Sequence, residues 1–369
     1  MTNRVSFLAS ALGVVALLLS PAIPVAAQTA TPPAKKYQPP RMPDGHPDLQ
    51  GTYDLATLTP VERPAGAKAA YTREEAAKLE ARVAAQKEEG DAPISPNRKA
   101  PPKGNGDEGL PLEYHLAAGG TGGYNYGWLD PGSAYNMVNG EIRSSIVVDP
   151  PNGRIPFTPA AAQLRMSAFR ALLNASQGEN NDPGLEKDPT AYDGPERRPL
   201  SEQCILGFGS TTGPPALPDY FYDNLHQIVQ TPTSVMILSE MIHDARIIRM
   251  NAQHLPSDIR QWMGDSVGHW EGDTLVVDTT NFNDKTRFEG ATENVHVVER
   301  FTRVDDHTLL YRFTVDDPAT FSKPWTGEYS WPATKGQIYE YACHEGNYAL
   351  GDILRGARQR DSMAAKAVK

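Results

Sequence analysis

Short segments that alternate apolar and polar residues recur through the second half of the chain, and this pattern constrains the fold most. Successive side chains of a strand point to opposite faces, so the alternation indicates half-buried strands. No helical pattern separates the segments, which favours a mainly β fold, an antiparallel β-barrel or sandwich with a few peripheral helices. The predicted strands are Gln227–Gln230, Ser234–His243, Arg246–Met250, Thr274–Thr280, His296–Val304, Leu309–Val315, Gly327–Trp331 and Gln337–Cys343.

The N-terminus has the layout of a secretory signal peptide. A basic start at Arg4 is followed by an apolar run from Phe7 to Leu19 and by small residues up to Ala27. The apolar run is shorter than the roughly 20 residues that a membrane-spanning helix needs. We therefore predict a signal peptide over residues 1–27, cleavage near Ala27, and a periplasmic or secreted protein.

Changes in composition predict the remaining organisation of the chain. Residues 28–45 are proline-rich and are predicted to form a flexible leader, followed by a mixed region over residues 46–200. Thr72 and Glu75 form a capping box that predicts a helix over about 72–88, and Thr158-Pro159 starts a second helix over about 159–173. The barrel-like region is assigned to residues 201–355, and residues 356–369 are read as a polar C-terminal tail.

The two cysteines, Cys204 and Cys343, are the whole thiol content of the chain. In an oxidising compartment the expectation is a disulfide between them. A catalytic thiol is the alternative, because His344 follows Cys343 directly.

The net charge of the chain indicates which kinds of partner it can bind. The formal net charge is −10 and no run of lysine and arginine stands out, which argues against nucleic acid and anionic membrane surfaces. After the signal peptide no segment has the roughly 18 apolar residues of a membrane-spanning helix, so no membrane insertion is predicted. The expected partner is a small-molecule ligand or substrate.

Ionisable residues within the predicted strands are the candidates for chemistry. Histidine and carboxylates facing a barrel interior could transfer protons without a cofactor. Glu240 and His344 are the leading pair, expected to approach each other across the lumen. The alternative is that these residues make structural hydrogen bonds and charge pairs. The catalytic candidates are Glu240, His243, Asp244, His344 and Glu345, and the substrate-binding candidates are Tyr126, Trp128, Tyr222, His226, Trp325 and Asn347.

No motif for a cofactor is present. The chain has no nucleophile elbow, no phosphate-binding glycine loop and no dinucleotide fingerprint. Its histidines lack metal-ligand spacing, so neither a cofactor nor a metal ligand is predicted. The sequence leaves open whether scattered histidines assemble a metal site in space.

Several long motifs resemble those of a large group of uncharacterised secreted bacterial proteins. They include Trp270-Glu-Gly-Asp-Thr-Leu-Val-Val-Asp-Thr-Thr-Asn-Phe282, Glu299-Arg-Phe-Thr-Arg303 and Tyr339-Glu-Tyr-Ala-Cys-His-Glu-Gly-Asn347. The resemblance implies export and a β-rich fold, and it implies no particular activity. Gly51-Thr-Tyr53 is similar to the start of lipocalin barrels, so the predicted barrel is described as lipocalin-like.

Three functions follow as hypotheses. The leading one is a cofactor-free enzyme of lyase, isomerase or hydrolase type, which would act on a small organic molecule, aromatic or sugar-like, through histidine and carboxylate acid–base chemistry. The second is a lipocalin-like binding protein for a hydrophobic small molecule. The third is a structural envelope protein.

Overall fold

The computed structural model describes residues 37–91, 130–176, 190–207, 213–218, 222–285 and 288–367. The predicted signal peptide and two of the predicted binding residues, Tyr126 and Trp128, lie outside these ranges. From Tyr37 to Lys369 the chain clusters into one compact unit.

Strands dominate the described residues, with three α-helices around them. The strands are β1 Gly51–Asp54, β2 Ala70–Tyr71, β3 Met137–Val138, β4 Glu141–Arg143, β5 Val147–Asp149, β6 Leu225–Gln230, β7 Ser234–Ser239, β8 Ala245–Met250, β9 Asp265–Glu271, β10 Thr274–Thr280, β11 His296–Arg303, β12 Thr308–Asp316 and β13 Trp325–Thr334. The helices are α1 Arg73–Asp91, α2 Pro159–Ser176 and α3 Ala349–Ala367.

Nine strands close into a barrel in the order β1, β6, β7, β8, β9, β10, β11, β12 and β13. The ring closes where Thr52 of β1 pairs with Thr334 of β13. Strand β5 pairs with the N-terminal part of β13, along the same edge that β1 uses further on, with Thr326 opposite Asp149. The predicted barrel is confirmed, with one departure from antiparallel pairing, because β8 and β9 run parallel. Strands β2, β4 and β3 form a separate small sheet.

Large side chains fill the barrel interior, since every second residue of each strand points inward. Phe301, Tyr311, Tyr329, Trp325 and Trp331 expose none of their surface. The segment 213–218 is also buried and lies against these rings. The N–H of Ala216 donates to the Tyr311 hydroxyl, and the Ala216 carbonyl accepts from the Tyr329 hydroxyl. The interior is therefore a packed core into which a segment of chain is inserted.

One ion pair lies inside this apolar core. Arg246 of β8 and Glu299 of β11 face each other with both guanidinium nitrogens Nη1 and Nη2 on the two carboxylate oxygens. The Tyr311 hydroxyl donates to Glu299 Oε1 at 2.8 Å. Arg246 is 5% exposed and Glu299 is fully buried. Pairing and hydrogen bonding compensate for the cost of burying these charges.

Two strand predictions were wrong in extent or in type. The segment predicted as Ser234–His243 leaves the strand conformation after Ser239, because Ile242 and His243 have positive φ values that end the pleat. The segment predicted as Gln337–Cys343 is not a strand, since it makes no ladder with a neighbour and the N–H of Tyr339 donates to the Glu240 carboxylate instead.

Other elements differ from the prediction. Strand β9 carries much of the long tryptophan-containing motif. Strand β1 lies in the region assigned as mixed, so the barrel extends beyond residues 201–355. Helix α3 covers most of the segment described above as a polar tail.

The disulfide is confirmed between Cys204 and Cys343, with 5.8 Å between their Cα atoms. It ties residues 201–206 to the irregular segment that follows β13. None of the helices in the described part of the chain is both long and apolar enough to cross a membrane.

Candidate functional site

The predicted catalytic residues do not form the expected pair. Glu240 follows β7 in a turn, is buried, and accepts a hydrogen bond from the N–H of Tyr339 at 2.9 Å. His344 and Glu345 are exposed in a turn after the disulfide. His243 is exposed and Asp244 is half-buried in the turn that Glu240 begins. Because neither Glu240 nor His344 belongs to a strand, the premise that both face the lumen does not hold.

The predicted binding residues serve packing more than an open pocket. Trp325 is part of the core, and the half-buried Tyr222 stacks on Tyr341 with 6.4 Å between ring centroids. Asn347 donates to Cys204 Sγ at 3.6 Å. These contacts assign structural roles to three of the candidates.

His226 is also buried, inside the barrel, where its Nε2 lies 2.8 Å from Ser239 Oγ. Burial lowers the pKa of His226 to about 4, so its ring is neutral at ordinary pH. This pair is a cross-strand contact between β6 and β7, and both residues are almost inaccessible to solvent. It has the geometry of a satisfied core histidine.

An acidic pair stands at the same end of the barrel. Asp223 lies just before β6 in a left-handed conformation, with φ of 59°. Burial first, and then repulsion from Glu240, raise the pKa of Asp223 to about 6. Strained backbone and a perturbed carboxyl are frequent at functional positions, but no hydrogen-bonded acid–base partner of Asp223 is described.

A different cluster, on the outer wall of the barrel, brings four ionisable side chains into direct contact. The connection from β8 to β9, residues 251–264, crosses this wall because the two strands run parallel. It comes so close to β10 that a Cβ at Gly264, whose φ is 69°, would stand 2.6 Å from the Thr280 carbonyl oxygen. A side chain of any other residue there would push the connection off the wall.

Asp265, the first residue of β9, anchors the cluster. It is 4% exposed although it faces outward, because the connection covers it. Its carboxylate accepts from Arg249 Nη2 at 2.8 and 3.0 Å, from the N–H of Leu255 at 2.8 Å, and contacts His254 Nδ1 at 3.0 Å. Burial alone would raise the Asp265 pKa, but these donors outweigh it and hold the pKa below its usual value.

The other ring nitrogen of His254 continues the cluster to β10 and β11. His254 Nε2 lies 3.0 Å from Asp278 Oδ1, and His296 Nε2 lies 2.9 Å from Asp278 Oδ2. The His254, Asp278 and His296 side chains are 29%, 36% and 43% exposed, so solvent reaches all three. We call Asp265, His254, Asp278 and His296 the His–Asp array.

Hydrogen bonding sets the charge state of this array. An ionised carboxylate only accepts, so each contact between Asp278 and an imidazole needs a proton on the nitrogen. The bond to Asp278 raises the pKa of His296, against a lowering by burial. Burial would raise the pKa of Asp278, but the bonds from His296 and His254 hold it below its usual value. The contact between His296 and Asp278 therefore favours a proton on the imidazole beside an ionised carboxylate.

Sequence reasoning missed the array because its members have no short spacing. The signal was present in the strand pattern: Asp278 interrupts an apolar strand and His296 begins one, both at outward positions. Which outward residues meet depends on register, and His254 comes from a connection without regular structure. Among the described residues no three histidine, cysteine or acidic side chains are arranged to hold a metal ion.

Comparisons of the chain with protein-family models, with curated proteins and with solved structures found no match. The arguments about function therefore depend on the geometry of the site.

Proposed function

We propose that this protein is an acid–base enzyme that works without a cofactor on a small organic molecule, with the His–Asp array as its catalytic centre. The chemistry is of hydrolase, lyase or isomerase type. The observation that carries the proposal is the unbroken chain of contacts of 2.9–3.0 Å from Asp265 through His254 and Asp278 to His296. Chains of contacting ionisable groups in which several pKa values are shifted are typical of sites that transfer protons.

His254 is assigned as the general base. The buried Asp265 carboxylate accepts the Nδ1 proton and fixes the ring orientation. The working form of His254 is the one that has released the Nε2 proton, which in the present geometry is donated to Asp278. The Asp265 carboxylate is kept ionised by the N–H of Leu255 and by Arg249, whose Nη2 makes two contacts with it. When His254 takes a proton from the substrate, both of its nitrogens donate to carboxylates, which stabilises the imidazolium form.

His296 is assigned as the general acid. Its raised pKa keeps a larger share of the ring protonated near neutral pH than an unperturbed histidine would have. Asp278 stands between the two rings and balances the charge as the proton moves from one side of the substrate to the other. A base and an acid on one surface are the least that a lyase, isomerase or hydrolase requires.

The packed interior favours an enzyme over the two alternatives. A carrier of lipocalin type needs room in its lumen, whereas here the central aromatic side chains expose no surface and residues 213–218 are inserted among them. A structural envelope protein would not need partly exposed histidines in contact with carboxylates. The Cys204–Cys343 disulfide supports a location in the periplasm or outside the cell.

The first experiment needs no substrate. The His296 ring is titrated by NMR in the full chain and in the variants His254→Gln and His269→Gln. His269 is an exposed histidine of the same outer wall that contacts Glu271, outside the array. We expect His254→Gln to shift the titration midpoint of His296, because Asp278 loses one of its two donors. His269→Gln should leave that midpoint in place, and equal midpoints in all three proteins would contradict a coupled array.

The second experiment measures turnover. The probes are 4-nitrophenyl esters, small lactones, and small carbonyl compounds whose α-hydrogen exchange is followed in deuterated water. For any probe that reacts, His254→Gln and His296→Gln should each lower kcat by about 100-fold or more, the usual contribution of an acid or base. The His269→Gln control should keep its activity. Full activity in both array variants, or loss of activity with a chelator and recovery with a metal ion, would refute the proposal.

A further inference from the structure

Arg260 lies in the same β8–β9 connection as His254 and is held in place by three acceptors. Its Nη1 donates to the carbonyl oxygen of Phe282 at 3.0 Å and to that of Glu293 at 2.5 Å. Its Nη2 donates to Asn294 Oδ1 at 3.3 Å. A guanidinium fixed by several acceptors has lost most of its rotational freedom before any ligand binds.

The three acceptors use only part of its donor capacity. A guanidinium carries five N–H groups in a rigid plane. Both hydrogens of Nη1 and one of Nη2 are engaged, which leaves Nε–H and the second hydrogen of Nη2. Because Nη1 is fully occupied, a ligand is offered the edge formed by Nε and Nη2. That edge matches the two oxygens of a carboxylate or a phosphate.

The positive charge of Arg260 is not balanced by a carboxylate in its described contacts. Its partners are two backbone carbonyls and one amide, and the residue is exposed. Arg249, in contrast, is already engaged by Asp265. Of these two arginines, Arg260 is therefore the one whose charge is available to a ligand.

Arg260 also lies close to both imidazoles of the array. Asn294, which holds its Nη2, precedes His296 by two residues, a span of at most about 7 Å between Cα atoms. His254 is six residues away in the same connection, whose Leu255 and Pro256 carbonyls accept from the Asn281 side chain. The guanidinium and the array thus lie on the same outer wall, next to the end of β10 and the start of β11.

We infer that Arg260 is the substrate-anchoring residue of this site and that the substrate class is a small molecule bearing a carboxylate. The inference rests on the proposed function and adds the substrate class to it. Arg260 binds the carboxylate through Nε and Nη2 and thereby places the rest of the molecule over His254 and His296. Specificity for an acid over its neutral amide follows from the charge of the guanidinium.

Binding tests this inference independently of turnover. Benzoate, succinate and the neutral analogue benzamide are titrated into the full chain, and binding is followed by isothermal calorimetry and by NMR shifts of the array histidines. We expect benzoate or succinate to bind, and benzamide to bind at least 10-fold more weakly than benzoate. Arg260→Gln should weaken carboxylate binding at least 10-fold. Arg260→Lys keeps the charge but lacks the planar fork, so it should give an intermediate loss.

The control is Arg358→Gln, which removes an exposed arginine of α3 and should leave binding unchanged. His296→Gln should retain carboxylate binding even where it abolishes turnover, so failure of the acid–base proposal and failure of this inference are distinguishable. Thermal unfolding of each variant shows whether the protein is still folded. Carboxylate binding that is absent, or equal in Arg260→Gln and the unmodified protein, would overturn the inference. Tighter binding of phenylphosphonate than of benzoate would overturn the choice of carboxylate over phosphate.

Discussion

The buried ion pair of the barrel offers the sharpest test of the fold. Replacing Glu299 with Gln keeps the shape of the side chain but leaves the Arg246 guanidinium in the core without an opposite charge. Arg246 is 5% exposed and Glu299 is fully buried, so water cannot solvate the remaining cation. Breaking a buried pair by removing one partner costs about 3–5 kcal/mol. The free energy of unfolding should fall by that amount, a large part of the roughly 5–15 kcal/mol typical of a folded domain.

The assay is urea unfolding with the disulfide intact, followed by the fluorescence of the buried tryptophans. The matched control is Glu271→Gln, because Glu271 pairs with Arg300 at the surface, where the side chains are 49% and 40% exposed. An exposed pair is screened by solvent and contributes little to stability. The double variant Arg246→Met with Glu299→Leu should recover most of the stability, since it removes both charges. If Glu299→Gln costs no more than Glu271→Gln, the barrel interior is more hydrated than the burial of these groups implies.

Three further outcomes are expected. Denatured, unreduced protein should contain no free thiol, and replacing Cys204 and Cys343 with serine should lower the unfolding free energy by up to about 5 kcal/mol, because the bridge closes a loop of 139 residues. Gly327→Ala should destabilise the fold by about 1–3 kcal/mol in the same urea assay, since the new Cβ would overlap the ring of the buried Phe313. The pKa of His296 is raised in the folded state, so its contribution to stability is complete below the unfolded pKa of about 6.5 and is lost as the pH rises through the folded value. Melting temperatures between pH 5 and 9 should therefore show a decline on the alkaline side that is absent in the His296→Gln variant.

Much of the barrel could be predicted from alternation alone. Strands such as β10 and β12 alternate inward and outward residues. Each of them pairs with a strand that is next to it in the sequence. Prediction failed where another interaction replaced the strand ladder. The N–H of Tyr339 donates to the Glu240 carboxylate, so the segment after β13 remains irregular despite its alternating residues.

The site was harder to predict than the fold. The prediction placed the chemistry at polar residues within apolar strands, but Glu240 lies in a turn and His344 in an exposed loop. The meeting of His254, Asp265 and Asp278 depends on a parallel crossover, and no local pattern distinguishes that from an antiparallel turn. The kind of chemistry expected from histidine and carboxylates remains a proposal, now assigned to different residues.

The sequence by itself determined which side chains point inward in strands such as β11 and β12 and, through its two cysteines, which covalent bridge can form. These properties are local or depend on composition, since the side-chain period of a strand is two wherever the strand lies. Only the tertiary structure decided that β1 closes the ring against β13, across more than 270 residues, and that the β8–β9 connection places His254 between Asp265 and Asp278. Barrel closure depends on strand register, and the meeting of these side chains depends on the path of the connection. Both form only when the whole barrel packs.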